Sequence, residues 1–305
     1  MTLRLAFLGT SGFAVPSLRA CAAHFDVAAV VTQPDKPGDR GKRAPRPVAD
    51  AAADLGLPVR APVRIRDPIA IDEILELELD VLVVAAYGQI LPVRLLEQPR
   101  FGGVNVHASL LPRWRGASPI ANAIRWGDAV TGVSIMKMEQ GLDTGPVYAM
   151  HDVAVGPRAT TPELTAELAA VGAAALVAVL GDFAEGHAPL AVPQDDAQAT
   201  VAPRLNRGDG AVDWERHSAL DVDRMIRAFQ PWPGVTATVA GMEVRLLAAA
   251  VAPGEATEGT APGSIVGNHG GDIEIATVAG IIRVAEVQPP GKKRMGAADY
   301  LRGRR

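Results

Sequence analysis

The sequence predicts an α/β chain: an open, mostly parallel sheet covered by helices, followed by a small all-β domain. Three observations lead there. From residue 3 to residue 183, apolar runs of strand length alternate with helical stretches. The run VLVVAA at 81–86 is apolar on both faces, as a strand is when helices cover both sides of a parallel sheet. After residue 206 the pattern changes to short β runs separated by glycine-containing turns, the spacing of a small barrel.

Taken in order, an apolar strand at 3–8 ends in Gly9 and leads into a helix over 13–24. A strand at 27–32 and helices over 48–55 and 68–79 precede the central strand at 81–86. A strand follows at 104–106, then a helix over 118–126, a strand at 133–138 and a long helix over 162–183. Periodicity is lost from 188 to 206, which reads as a linker with room for one short strand near Thr200. A helix over 218–229 then precedes strands at 235–239, 244–249, 264–267, 273–277 and 281–287. The division expected is a first domain over 1–188, a linker over 189–206 and a second domain over 207–305. In open α/β sheets ligands bind outside the carboxyl ends of strands. The loops after Ala86, His107 and Met138 are therefore the places to look. The first turn, GTSG at 9–12, is not G-x-G-x-x-G, and no acidic residue closes the second strand, which argues against a dinucleotide site. Gly9 and Gly12 read as a tight strand-to-helix turn.

Composition bounds the function. The chain has 305 residues, is 48% hydrophobic and carries a formal net charge of −4. This is an ordinary globular balance and excludes a wholly basic nucleic-acid coat, but not a local basic patch. A single cysteine, Cys21, excludes an internal disulfide and a cysteine-rich metal site. No H-E-x-x-H, phosphate-binding loop or G-x-S-x-G occurs, and no metal is expected. The opening MTLRLAFLG runs directly into a strand without a signal-peptide pattern, and the most apolar helical run, 168–180, is short for a bilayer span. A cytoplasmic protein with no membrane association, and a monomer, is expected.

The chemistry concentrates in NVHASLLPRWRG, residues 105–116. Alternate residues of a strand share a face, so Asn105 and His107 point the same way and Val106 points opposite. A neutral amide donor beside a titratable imidazole fits the attack of a nucleophile on a carbonyl. The same pair fits a strand cap beside a buried core histidine. GLDTG at 141–145 carries Asp143, which either orients His107 or caps local backbone N–H groups. Flanking glycines would let that backbone approach a ligand. Leucines in SLLP (109–112) and apolar residues in YGQILP (87–92) read as exposed loop walls able to sandwich a flat heterocycle. Residues 33–48 form a Pro- and Gly-rich loop with five cations against two acids, long for a connection and placed at a strand end. From 288 onward six cations oppose one acid. Both patches fit phosphate contact.

Together the segments GTSGFAVPSL, VTQPDKPGDRGKR, VVAAYGQILP, NVHASLLPRWRGASPI, GDAVTGVSIMKMEQGLDTGPV, DWERHSALDVDRMIRAFQPWPG and QPPGKKRM resemble the methionyl-tRNA formyltransferases, nearly end to end. The resemblance implies a Rossmann-like open, mostly parallel sheet of the formyltransferase type, followed by a small OB-like β-barrel domain that helps hold tRNA. It implies transfer of the formyl group of 10-formyltetrahydrofolate, a co-substrate, to the α-amino group of initiator methionyl-tRNA. Asn105, His107 and Asp143 would then be catalytic, with Asp143 orienting His107. Ser109, Leu110, Leu111 and Pro112, with Tyr87, Gly88, Gln89, Ile90 and Leu91, would bind folate. Lys36, Arg40, Lys42, Arg43, Lys292, Lys293 and Arg294 would bind tRNA. The first turn departs from the family's usual GTPDF, and no catalytic role rests on it. The catalytic block is shared by formyltransferases acting on amino-sugar nucleotides or glycinamide ribonucleotide, and by 10-formyltetrahydrofolate hydrolases. The basic loop and the carboxyl part are specific to the tRNA enzymes.

Overall fold

The computed structural model describes residues 2–35, 45–187 and 189–303. β1 (Arg4–Gly9) is followed by a short turn of 3₁₀ helix at Gly12–Ala14 and by α1 (Val15–His24), which has a proline in its first turn. Gly9 is required there: a Cβ on it would lie 2.9 Å from Ala14 Cβ and 3.1 Å from the Ala85 carbonyl oxygen. A Cβ on Gly12 would meet nothing within 4 Å, so only one of the two glycines is needed for the turn. β2 (Asp26–Val31), α2 (Pro47–Asp54) and a short β3 (Val59–Arg60) come next. α3 (Pro68–Leu75) starts where Asp67 accepts a hydrogen bond from the Ile69 N–H, with Pro68 at its first position. It ends four residues before the expected 79, because the chain turns at once, with Glu78 in the left-handed region (φ 52°). β4 (Val81–Ala85) is buried along its whole length, as its two-sided apolar pattern requires.

After α4 (Val93–Glu97) come β5 (Gly103–His107), a short β6 (Arg115–Gly116), α5 (Pro119–Trp126), β7 (Val130–Lys137), β8 (Val147–Ala154) and α6 (Thr161–Ala184). The seven-stranded sheet has the order β3-β2-β1-β4-β5-β7-β8. β1 to β5 are parallel, whereas β7 runs antiparallel to β5, and β8 antiparallel to β7. α6 lies tight on this sheet. A Cβ on its Gly172 would come within 2.8 Å of Val106 and 3.3 Å of Val133. By length and composition alone α6 is apolar enough to cross a membrane, contrary to the expectation from 168–180, because the helix extends beyond that run to 24 residues with few charges. Its Leu168, Leu176, Leu180 and Phe183 are buried in the protein, as in a core helix.

The chain forms two compact units. The first comprises Met1–Pro119, Val130–Ala154 and Thr165–Ala202, and the second Ile120–Ala129, Val155–Leu164 and Pro203–Arg305. Much of the stretch read as linker is thus built into the first unit. β9 (Val201–Ala202) pairs in parallel with β6, close to the short strand expected near Thr200. In the second unit, α7 (Ala219–Ala228) begins with a capping box between Ser218 and Asp221. β10 (Val235–Val239), β11 (Met242–Ala252), β12 (Ile265–His269), β13 (Asp272–Ala276) and β14 (Ile281–Gln288) form an antiparallel sheet in the order β10-β11-β14-β13-β12. β15 (Met295–Gly296) pairs with β14, and α8 (Ala297–Arg302) follows. Two register shifts between β11 and β14 mark bulges, the device that bends a strand and increases its twist.

Candidate active site

β5 sets out the first two groups. Asn105 and His107 share one face and are buried, at 9% and 5% exposure, while Val106 faces α6 on the other side. β4 and β7 flank the strand, with Asn105 opposite Val84 on one side and Met136 on the other.

Asp143 arrives by an unexpected route. Because β7 is antiparallel to β5, the loop after Met138 leaves at the amino end of β5, where Met138 N–H donates to the Gly103 carbonyl at 2.7 Å. This corrects the expectation that it leaves a carboxyl edge. The loop nevertheless brings Asp143 Oδ2 to 3.6 Å from His107 Nδ1, and Oδ1 to 3.5 Å from Asn105 Nδ2. The Gly116 N–H donates to Oδ2 at 2.8 Å. Asp143 sits in the left-handed region (φ 53°). The loop glycines serve its own backbone. A Cβ on Gly145 would lie 2.0 Å from the Lys137 carbonyl oxygen, and one on Gly141 2.2 Å from Thr144 Oγ1.

The imidazole is also held from behind. His107 Nε2 lies 3.0 Å from the carbonyl oxygen of Trp114. A carbonyl only accepts, so Nε2 carries the hydrogen, and in the neutral ring the Nδ1 lone pair faces Asp143. That nitrogen and the Asp143 carboxylate stand 3.6 Å apart. The Asn105 amide has two N–H donors, and the long contact to Asp143 leaves donor capacity for a ligand oxygen.

The loop walls differ from the expectation of exposed leucines. Leu111 is buried with Met136 and Val147. Leu110 packs beside Gly132, where a Cβ would come within 2.5 Å of it. Ser109 is fully buried, and its hydroxyl donates to the Arg113 carbonyl at 2.6 Å. These residues shape the turn, and the following Pro112 is half-buried. In the other loop, Tyr87 and Leu91 lie in a core cluster with Leu8, Ile65 and Leu82. Burial pushes the Tyr87 hydroxyl pKa up to about 12. The Tyr87 carbonyl accepts from Thr10 Oγ1 and Gln33 Nε2. Gln89 Oε1 accepts from the Ile65 N–H, and Gly88 (φ 82°) faces Gln33. Ile90, 92% exposed, is the apolar side chain of this loop that remains open, and Leu142 beside Asp143 is a second one. Leu142 was not singled out in the sequence, although GLDTG contains it.

Lys36, Arg40, Lys42 and Arg43 lie outside the described residues. Next to them, Arg46 pairs with Asp35 and Asp50, so part of that loop's positive charge is locally answered. Lys292 and Lys293 are exposed. Arg294 is exposed too, but it pairs with Glu286 at 2.6 Å, and Arg302 pairs with Asp299. The basic carboxyl end is therefore weaker than its residue count, because β15 folds back beside β14 and its Glu286.

The family model described as formyl transferase matches residues 3–180, and that of the formyl transferase C-terminal domain matches 204–305. The methionyl-tRNA formyltransferase of Stenotrophomonas maltophilia is 45% identical over 307 residues, covering 99% of this chain and 98% of its own. That of Roseiflexus castenholzii is 45% identical over 306 residues, covering 99% and 96%.

The chain belongs to the formyl transferase family.

Solved structures share the fold at low identity. HypX from Aquifex aeolicus in complex with tetrahydrofolic acid superposes with a TM-score of 0.64 at 18% identity, over 99% of this chain and 47% of HypX. An N-formyltransferase from Helicobacter canadensis, in complex with folinic acid and dTDP-3-aminofucose, superposes with a TM-score of 0.69 at 15% identity, over 94% of this chain and all of its own. In this formyl transferase, sequence reasoning missed several groups bonded around the His107–Asp143 pair. Arg115 is buried and reaches Gln194 and Asp196, and Thr200 Oγ1 accepts from the Trp114 N–H at 2.9 Å. Gln194 and Thr200 come from a tract without periodicity, where no sequence signal marked them. Arg115 stood inside the quoted motif.

Proposed function

We propose that this protein transfers the formyl group of 10-formyltetrahydrofolate to the α-amino group of methionine on initiator tRNA, in the cytoplasm and as a monomer. The observation that carries the reading is the convergence of Asn105, His107 and Asp143 on one face of β5, in a chain that matches methionyl-tRNA formyltransferases over nearly its whole length. The first domain performs the chemistry, and the second helps hold the tRNA.

The neutral amine attacks the formyl carbon, a C–N bond forms, and the carbonyl oxygen becomes an oxyanion that accepts from Asn105 Nδ2. His107 Nδ1 takes the proton shed by the attacking nitrogen. It returns that proton to the folate nitrogen as the old C–N bond breaks. Asp143 stabilises the imidazolium between the two steps. Ile90 and Leu142, with the backbone of 87–91 and 109–112, supply the wall against which the folate ring lies. Lys36, Arg40, Lys42, Arg43, Lys292, Lys293 and Arg294 contact the phosphates of tRNA.

The test mixes the protein with 10-formyltetrahydrofolate and charged initiator or elongator methionyl-tRNA, and weighs the released amino acid by mass spectrometry. Gain of one formyl group on initiator alone supports the proposal. Formate release without transfer assigns a hydrolase, and transfer only to an amino-sugar nucleotide assigns a different acceptor.

A further inference from the structure

We infer that Gln194 is a positioning residue for the transfer reaction, holding the Asp143 loop against His107 by binding two of the loop's carbonyls. The inference rests on the reading of Asn105, His107 and Asp143 given above. Gln194 Nε2 donates to the carbonyl oxygen of Asp143 at 2.8 Å and to that of Gly145 at 2.7 Å. Its Oε1 accepts from Arg115 Nε at 2.9 Å and from Arg115 Nη2 at 2.8 Å. The orientation of the amide is fixed by chemistry. A guanidinium only donates and a carbonyl only accepts, so the amide cannot flip without breaking all four bonds. Both N–H groups are used on one loop, two residues apart, on either side of Thr144.

Arg115 links this clamp to the reacting groups. It is 8% exposed, and its Nη2 also donates to Asp196 at 2.7 Å. On one side of it in the chain, the Trp114 carbonyl binds His107. On the other, the Gly116 N–H binds the Asp143 carboxylate. The two ends of the His107–Asp143 pair are thus referred to the same buried guanidinium, one through backbone and one through backbone plus Gln194. Asp143 is in the left-handed region, which a residue other than glycine keeps only where surrounding bonds over-determine it. The contacts from Gln194 and Gly116 are those bonds.

Two variants separate positioning from plain stability. Gln194→Glu keeps the length and the Arg115 contact, as a charge-assisted pair, but has no hydrogen for the loop carbonyls. Gln194→Met fills the space and offers neither bond. For both, the turnover number for formyl transfer is expected to fall ten- to a hundredfold, with the KM for 10-formyltetrahydrofolate within threefold of wild type. Melting temperatures of both variants are measured alongside, and turnover is compared at a temperature where each is fully folded. A second readout is independent of activity. Limited digestion with a glutamate-specific protease, followed by mass spectrometry, reports cleavage after Glu139, at the start of the loop, and that cleavage should be faster in Gln194→Met, which adds no new glutamate. Turnover within twofold of wild type in both variants, a loss confined to KM, or unchanged cleavage after Glu139 in Gln194→Met would each overturn the inference. If the wild-type protein transfers no formyl group, the functional reading fails by itself, and the cleavage rates still decide whether Gln194 holds the loop.

Discussion

Asp143→Asn tests the electrostatic part of the site with the least change of shape. The carboxylate lies 3.6 Å from His107 Nδ1, and its side chain is 17% exposed. At an effective dielectric of about 20, unit charges at that separation interact by roughly 4–5 kcal/mol. Solvent access and relaxation reduce this, and about half is a reasonable share for a group that still touches water. A loss of about 2–3 kcal/mol in transition-state stabilisation corresponds to a roughly hundredfold fall in turnover. The amide brings a further mismatch. If its oxygen keeps the Gly116 N–H, its nitrogen is turned toward Asn105 Nδ2, donor against donor. The assay is single-turnover formyl transfer by rapid quench, with folate affinity measured separately by fluorescence titration. Affinity should change little. An Asp143→Asn variant with half or more of the wild-type rate would refute the idea that the charge acts on the imidazolium.

Three other outcomes follow from particular contacts. Gly145→Ala places a methyl group 2.0 Å from the Lys137 carbonyl, a backbone atom that cannot step aside; thermal unfolding should show a loss of about 1–3 kcal/mol, together with reduced turnover. Cys21 is fully buried, and burial pushes its thiol pKa up to about 12. An aromatic disulfide reagent should therefore label it only as fast as the protein unfolds. For Asp221, burial works to raise the pKa, but hydrogen bonds from Ser218 and Arg125 outweigh it and hold the carboxyl at about 2. A depressed value in the folded state means stabilisation that is complete above the unfolded carboxylate range of about 4 and lost as the pH falls toward 2. Asp221→Asn should thus cost about 1 kcal/mol at neutral pH, of the order of a helix cap. In denaturant titrations its deficit against wild type should narrow between about pH 4 and pH 2.

The parts of the fold readable from sequence are those in which one local pattern decides. VLVVAA can only be a strand covered on both faces, and the alternation in NVH fixed Asn105 and His107 on one side of β5 before any contact was known. β8 escaped because VYAMHDVA is an outer strand with its middle residues partly or fully exposed, so it lacks both the apolar run and clean alternation. The direction of β7 escaped because direction is a tertiary property. The strand–helix alternation implied a parallel neighbour, and α5 precedes a strand that runs the other way. The loop leucines were misjudged for a related reason. A loop that leaves a buried strand can fold its apolar side chains back into the protein, as Leu111 does against Met136 and Val147. Asp143 was legible as a candidate but not as a neighbour of His107. Gln194 was not legible at all, because its role lies in two carbonyls and a guanidinium that only the folded chain brings together.

The most direct test of the account is single-turnover formyl transfer by Asn105→Ala, measured beside its affinity for the folate donor. Asn105 is assigned to the oxyanion, so the rate should fall roughly 10²–10³-fold, the usual cost of removing such a donor, while folate binding largely survives. An intact chemical step with lost folate binding would contradict that assignment and the mechanism built on it.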